Sequence, residues 1–235
     1  MQSQVSKTTI TDKFLIEKRG FNKLLILFPG FAFDYKIFSF LDLPFDYLYP
    51  SSLVTIDTIY EFKERLPELS HRFSKFYLVG WSLGANLALS LYKEFPSVFE
   101  KLFLISIKKH YSHSDIKELI SRLKRNHKEM LRDFYRRCFL GKKAFWTWFR
   151  KELEPSYLKN FSNLMLIRQL TYLENDYVNI PNANNITIFL GKRDIIAPLS
   201  ELPEIPSVVK TIEFSNASHM PFLEPNFSEV FIKTL

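Results

Sequence analysis

The sequence predicts an α/β fold with a mostly parallel central sheet, helices on both of its faces and a helical cap inserted between two strands. Short apolar runs that stop at glycine or proline alternate with segments in which apolar residues recur at helical spacing. The runs lack alternating polar residues, which is typical of strands buried on both faces of a parallel sheet. The alternation is interrupted once, by about seventy residues with helical patterns alone. This order of elements is typical of a doubly wound α/β domain.

Each predicted element follows from one of these two patterns. The apolar runs predict strands over 23–28, 75–79, 101–107, 185–190 and 208–214, with an edge strand within 8–17. Helical spacing predicts helices over 56–69, 83–95 and 227–235. We therefore expect one sheet against which these helices pack.

The interruption divides the chain into predicted parts. Residues 1–109 and 181–235 form the two parts of an α/β core, and residues 110–180 form a helical cap with helices over 116–131 and 139–153. Open α/β sheets bind ligands at the carboxyl ends of their strands. We therefore expect the cap to cover that edge of the sheet.

Length and composition narrow the class of protein. A chain of 235 residues fits one domain with an insertion. Its one cysteine, Cys138, rules out a disulfide within the chain and favours a reducing compartment. Residues 1–13 lack the apolar stretch of a secretory signal, and no run approaches the roughly 18 apolar residues of a membrane span. We expect a cytoplasmic protein, monomeric and without stable membrane association.

A serine motif lies between the predicted strand at 75–79 and the predicted helix at 83–95. Residues 80–84 read GWSLG and match G-x-S-x-G in the strand–turn–helix context of a nucleophile elbow. The glycines on either side let strand and helix approach closely, and the sharp turn exposes the hydroxyl of Ser82. The simpler alternative is a turn in which Ser82 only caps the helix. We predict that Ser82 is a nucleophile.

A serine hydroxyl needs a base, and the base needs an orienting acid. In folds with this elbow the order along the chain is Ser, acid, His. His219 follows the last predicted strand, and Asp194 follows the strand before it. The simpler alternatives are a loop histidine and a turn aspartate. Ser82, Asp194 and His219 together predict a serine hydrolase with the α/β-hydrolase fold, a chemistry that needs no metal and no organic cofactor.

Hydrolysis through a serine also needs two backbone N–H groups to stabilise the oxyanion. The residue after the nucleophile, Leu83, is expected to supply one of them. The loop after the first predicted strand of the core, which contains Pro29 and Gly30, is expected to supply the other from Phe31. An ordinary turn at Pro29-Gly30 is the simpler alternative for this loop.

Four motifs support a more specific resemblance. With LILFPGF at 25–31, GWSLG at 80–84, GKRD at 191–194 and SHMPFLEP at 218–225, the chain resembles the pimeloyl-acyl carrier protein methyl ester esterases of biotin synthesis. The resemblance covers most of the chain and implies the same catalytic residues and oxyanion donors. It also implies that a cap segment lines the acyl tunnel, with Phe134, Tyr135, Arg136, Arg137 and Cys138. The family usually has His-Gly at 29–30 and Gly at 32, where this chain has Pro29-Gly30 and Ala32.

The resemblance implies a substrate and a partner, and the charge of the predicted cap supports the partner independently. Residues 108–151 contain fourteen Lys/Arg and four Asp/Glu in a chain of net charge +7. Acyl carrier proteins are acidic, so a cationic cap can steer a carrier with a pimeloyl methyl ester. The candidate contacts are Lys124, Arg125, Lys128, Arg132, Arg136, Arg150 and Lys151. A solvated helix face is the simpler alternative. We expect no nucleic-acid partner because no recognition motif accompanies the charge.

Two other functions stay open on the sequence alone. The first is a general short-chain carboxylesterase or thioesterase of the same fold. The subfamily also stays open, since a related enzyme that makes a menaquinone precursor has a similar serine elbow. The second is a non-catalytic α/β-hydrolase that serves as a binding module.

Overall fold

The computed structural model describes residues 6–11 and 13–235, and the side chains from residue 13 onward. The strands are β1 (Ser6–Thr11), β2 (Phe14–Lys18), β3 (Lys23–Phe28), β4 (Asp46–Pro50), β5 (Lys75–Trp81), β6 (Phe99–Ile105), β7 (Ile186–Gly191) and β8 (Lys210–Phe214). The helices are α1 (Ile56–Arg72), α2 (Leu83–Glu94), α3 (His113–Arg125), α4 (His127–Cys138), α5 (Lys143–Glu152), α6 (Glu154–Asn160), α7 (Asn163–Asn175) and α8 (Phe227–Ile232). Short 3₁₀ turns lie at Tyr35–Phe38, Leu199–Glu201 and Pro221–Leu223.

The strands form one sheet in the order β1-β2-β4-β3-β5-β6-β7-β8. The six neighbouring strands β4-β3-β5-β6-β7-β8 pair in parallel. Strand β2 pairs antiparallel with β1 and β4. A mostly parallel sheet with helical crossovers confirms the predicted α/β class. Strand β3 is completely buried after its first residue, as its uninterrupted apolar sequence predicts.

The amino-terminal part of the sheet differs from the prediction. The single edge strand expected within 8–17 is an antiparallel pair, in which Ser6 lies opposite Lys18 and Thr11 opposite Phe14. Strand β4 was not predicted at all. Its sequence, DYLYP, contains Asp46 and Pro50 and does not form an apolar run, yet all five of its residues are buried. Pairing on both sides and the strand preference of the two tyrosines therefore outweigh the Asp and Pro at the ends of this strand.

Five helices, α3 to α7, lie between β6 and β7, and we refer to residues 110–180 as the cap segment. The single helix expected over 116–131 is two helices, because Asn126, with a φ of −154° and a ψ of 88°, leaves the helical region between α3 and α4. The Asn126 side chain accepts a hydrogen bond of 3.2 Å from the backbone N–H of Glu129. An N-cap of this kind satisfies a free donor of the second helix.

The cap segment is attached to the sheet through an aromatic cluster. Phe33, in the loop after β3, is fully buried. Its ring lies 5.0 Å from that of Tyr135, 5.7 Å from that of Phe149 and 6.1 Å from that of Tyr157. Aromatic pairs at these distances add to the stabilisation from buried area. The loop at the carboxyl end of β3 is thus part of the interface between sheet and cap segment.

Candidate active site

Ser82 occupies a strained turn between β5 and α2. Its φ of 54° and ψ of −120° lie outside the regions that ordinary residues adopt. The backbone N–H of Ser82 donates a hydrogen bond of 2.8 Å to the carbonyl oxygen of Ile105 at the end of β6. The turn is therefore held against the neighbouring strand, and the serine lies at the carboxyl edge of the sheet.

Gly80 and Gly84 make this turn sterically possible. A Cβ atom on Gly84 would lie 2.1 Å from the carbonyl oxygen of Phe28, and one on Gly80 would lie 2.2 Å from the carbonyl oxygen of Gly84. Both contacts are with backbone, which cannot rotate away. Only glycine allows β3, β5 and α2 to approach to this extent.

Alanine in place of Gly84 is expected to lower the free energy of unfolding by about 3 kcal/mol, because its methyl group would overlap the backbone of β3. Urea denaturation of the wild-type protein and of Gly84→Ala measures the difference in free energy of unfolding. The control is Lys93→Ala on the exposed face of the same helix, which should change stability by less than about 0.5 kcal/mol. Equal stability of the two variants would contradict the close approach.

Asp194 and His219 form a buried pair. His219 Nδ1 lies 2.8 Å from Asp194 Oδ2, and both side chains are about 1% exposed. Asp194 Oδ1 accepts hydrogen bonds from the N–H groups of Ile196 at 2.8 Å and Ala197 at 2.9 Å. Burial by itself raises the pKa of Asp194, but His219 and these two N–H groups stabilise the carboxylate and hold the pKa below its usual value.

The backbone of His219 is fixed beside the serine turn. Its carbonyl oxygen accepts hydrogen bonds from Trp81 Nε1 at 2.7 Å and from Ser106 Oγ at 3.0 Å. The indole ring of Trp81 also lies 5.5 Å from the imidazole. Within the described part of the chain, the buried His219 Nε2 has no hydrogen-bond partner, so no bond joins it to Ser82. Contacts of this kind are often loose in unliganded hydrolases and tighten when substrate binds.

A cavity of about 310 Å³ opens at Ser82 between the sheet and the cap segment. Its walls combine apolar side chains with three cations and three carboxylates. It is lined by Phe31, Ser82, Lys108, Tyr111, Asp115, Ile116, Glu118, Leu119, Arg122, Phe134, Arg137, Leu170, Leu173, Ile195, Ile196 and Glu201. A larger cavity of about 580 Å³, between α1 and α7, contains none of the residues predicted for the site.

The structure brings some of the predicted binding residues to this cavity and not others. Phe31 and Phe134 line it together, with their rings 5.2 Å apart, and Arg137 lines it as well. Tyr135 and Cys138 are fully buried and do not line this cavity. Leu83, the first residue of α2, is fully buried behind the serine.

The predicted carrier contacts are all exposed side chains of the cap segment: Lys124, Arg125, Lys128, Arg132, Arg136, Arg150 and Lys151. Arg132, Arg136 and Arg150 line a separate surface cavity of about 470 Å³, together with Arg122 and the carboxylates of Glu129, Asp133 and Glu154. Arg122 lines the cavity at Ser82 as well. Four arginines and three carboxylates thus line this surface cavity, which shares Arg122 with the candidate active site.

Tyr111 is a residue of the site that the sequence did not reveal. It lines the cavity that opens at Ser82. Burial raises the pKa of the phenol, and the nearby Ser82 side chain lowers it only in part, so Tyr111 stays neutral. Lys108 lies 4.9 Å from its ring and 2.5 Å from a carboxylate oxygen of Glu201. No sequence motif includes Tyr111. It lies at the start of the cap segment, and only the path of the chain there brings it to the cavity.

In residues 6–11 and 13–235, no group of three or more His, Cys, Asp or Glu is arranged to hold a metal ion. Within the same ranges, none of the helices has the length and hydrophobicity needed to cross a membrane.

Comparison with known proteins identifies a relative in sequence. The chain is 28% identical over 178 residues to the pimeloyl-acyl-carrier protein methyl ester esterase of Wigglesworthia glossinidia brevipalpis. The aligned stretch covers 65% of this chain and 66% of the relative, slightly less than two thirds of its length. No protein-family model matches the chain.

Solved structures resemble nearly the whole chain in fold. MGS-M2, an α/β hydrolase from a Medee basin deep-sea metagenome library, has a TM-score of 0.77 at 18% identity and covers 97% of this chain and 96% of its own. The esterase EaEST of Exiguobacterium antarcticum has a TM-score of 0.75 at 17% identity, with 94% of each chain covered. At such identities the likeness concerns the fold. The chain therefore has the α/β-hydrolase fold and resembles a pimeloyl-acyl-carrier protein methyl ester esterase.

Proposed function

We propose that the protein is a serine carboxylesterase in which Ser82, His219 and Asp194 form the catalytic triad. The observation that carries the proposal is the buried 2.8 Å contact of His219 Nδ1 with Asp194, beside a serine held at positive φ. A carboxylate on Nδ1 keeps the proton there and leaves Nε2 unprotonated to act as a base. The sequence relative and the fold agree with hydrolysis of an ester.

The reaction has two halves. Ser82 Oγ attacks the ester carbonyl carbon while His219 Nε2 takes the hydroxyl proton, and backbone N–H groups of Leu83 and Phe31 stabilise the oxyanion. The tetrahedral intermediate collapses, and the alcohol leaves with the proton from His219. Water, deprotonated by His219, then attacks the acyl-enzyme and releases the carboxylic acid and Ser82.

For the substrate, we propose the methyl ester of pimeloyl-acyl carrier protein, from which methanol leaves. The sequence relative is an esterase of this name. Residues 1–109 and 181–235 would form the hydrolase core, and the cap segment would cover the site. Its exposed cations would attract the acidic carrier, since complementary charge speeds association. A monomeric state and a cytoplasmic location stay predictions from the sequence.

Hydrolysis of the carrier-bound methyl ester should be favoured over that of a free methyl ester, such as dimethyl pimelate, and should depend on charge in the cap segment. Arg132→Glu is expected to lower kcat/KM for the carrier-bound ester about tenfold, because it reverses a charge that steers the partner. The value for dimethyl pimelate should stay unchanged. Lys93→Glu, an exposed reversal on α2, makes the same change in net charge and serves as the control. Initial rates at low and moderate salt measure both effects.

Other outcomes would support other functions. A preference for free esters, with equal effects of Arg132→Glu and Lys93→Glu, would favour a general carboxylesterase or thioesterase. Structural neighbours that are esterases make this the second candidate. Failure of a fluorophosphonate to label the wild-type protein would instead favour the non-catalytic binding module.

A further inference from the structure

The loop after β3 contains a tight turn with an alanine in the left-handed region. The backbone N–H of Phe33 donates to the carbonyl oxygen of Gly30 at 3.2 Å, which closes a four-residue turn. Ala32, the third residue of this turn, has a φ of 58°, while Phe31 does not have a positive φ. A positive φ at the third position alone is the mark of a type II turn, where glycine is the usual residue. Alanine is strained there, so other contacts must hold it.

Two side chains of the cap segment hold the backbone of Ala32. Its N–H donates to Gln169 Oε1 on α7 at 3.1 Å, and its carbonyl oxygen accepts from the hydroxyl of Tyr135 on α4 at 2.9 Å. Gln169 is 1% exposed and Tyr135 is fully buried. Gln169 Nε2 also donates to the carbonyl oxygen of Val54 at 2.8 Å. Since an amide nitrogen cannot accept, this second bond directs the oxygen of Gln169 towards Ala32.

The bond from Ala32 selects one of two turn geometries. Type I and type II turns differ by rotation of the peptide between the second and third residues, which here joins Phe31 and Ala32. Gln169 binds the N–H of that peptide. Without this acceptor, the type I form with negative φ at the third position becomes accessible, and alanine prefers it. The rotation would turn the carbonyl group of Phe31. This group belongs to the same residue as the N–H that the proposed reaction uses.

We propose that Gln169 is a positioning residue, which holds the turn 30–33 in the form that presents the Phe31 N–H to the oxyanion, with Tyr135 as a second support. The inference rests on the proposed function. The cap segment then has a role besides contacting substrate, because the oxyanion site is assembled only when α7 is packed against the loop.

Replacing Gln169 by methionine, which has similar length and no acceptor oxygen of comparable strength, is expected to lower kcat for p-nitrophenyl acetate by about 10- to 100-fold. KM should change by less than about threefold, because the oxyanion forms only in the transition state. Affinity for an alkylboronic acid, which forms a tetrahedral adduct with the serine, should fall by a factor similar to that for kcat. Melting temperature is measured alongside, so that loss of stability is separated from loss of transition-state binding.

Two further variants make the interpretation specific. Gln169→Glu is expected to retain kcat within about fivefold of wild type, since a buried glutamic acid stays protonated and then accepts and donates like glutamine. Tyr172→Phe removes another hydrogen bond of the same helix, the 3.1 Å contact with Ser90 Oγ, and should leave kcat within about twofold because it does not touch the turn. A kcat loss in Tyr172→Phe equal to that in Gln169→Met would overturn the proposal.

The strain at Ala32 gives a second, independent comparison. Glycine adopts positive φ without strain, so Gln169→Met should cost less in kcat when Ala32→Gly is also present. An equal loss in both backgrounds would overturn the inference, and if Gln169→Met does not fold, the comparison is made with Tyr135→Phe, which removes the other hydrogen bond to Ala32. Wild-type kcat in Gln169→Met, with no activity in Ser82→Ala, would reject this inference and leave the proposed function standing. An inactive wild-type protein would reject both.

Discussion

Replacement of Ser82 by alanine is expected to lower kcat for ester hydrolysis by about 10⁶-fold, the scale seen when a serine hydrolase loses its nucleophile. The loss is this large because water must then attack the ester directly, without a covalent intermediate. Binding should survive, since the cavity and its cap residues are unchanged. A fluorophosphonate should label the wild-type chain at one serine and should not label the variant, as measured by intact-protein mass spectrometry.

The control for this experiment is Ser90→Ala. Ser90 lies on α2, the helix that follows Ser82, and its hydroxyl contacts Tyr172 outside the cavity. The variant should be labelled like the wild-type protein and should keep kcat within about twofold, because a partly exposed hydroxyl contributes little. Labelling that persists in Ser82→Ala, or that disappears in Ser90→Ala, would contradict the role of Ser82.

Asparagine in place of Asp194 is expected to lower kcat by about 10⁴-fold with little change in KM. The amide oxygen can still accept from Ile196 and Ala197, as the carboxylate does, so the loop should keep its shape. The amide nitrogen then faces His219 Nδ1 and favours the tautomer with the proton on Nε2. With a proton already on Nε2, His219 can no longer accept the proton of Ser82. The base is therefore lost while the binding cavity stays intact. Steady-state kinetics between pH 6 and 9 measure the effect.

A second aspartate provides the matched control. Asp176 accepts a hydrogen bond of 2.8 Å from Asn86 Nδ2 and does not line the cavity at Ser82. Asp176→Asn preserves an acceptor oxygen there and should keep kcat within about twofold. Near wild-type kcat in Asp194→Asn, or an equal loss in both variants, would show that Asp194 has no particular role in the reaction.

Elements with strong local patterns were predictable from the sequence. Strand β3 was predicted with its observed bounds, and the helix after the serine turn within one residue at its end. Ser82, Asp194 and His219 could be selected as candidates because each follows an apolar run or fits a short motif. The break at Asn126 also had a local signal, since Asn with Glu129 three residues later is typical of a helix start. Apolar residues recur at helical spacing both before and after Asn126, so the sequence predicted one continuous helix there.

Strand β4 and the contacts of Tyr111 and Gln169 were determined only by the tertiary structure. DYLYP has no apolar run of its own and becomes a strand because β2 and β3 pair with it on either side. Gln169 is 137 positions away from Ala32 in the chain, and no spacing rule links two residues so far apart.

The sequence by itself thus determined the strands, the serine turn and the candidate residues, since these depend on patterns within a few residues. Close packing of the cap segment against the loop decided which side chains surround Ser82, because buried polar groups must find partners wherever the fold brings them.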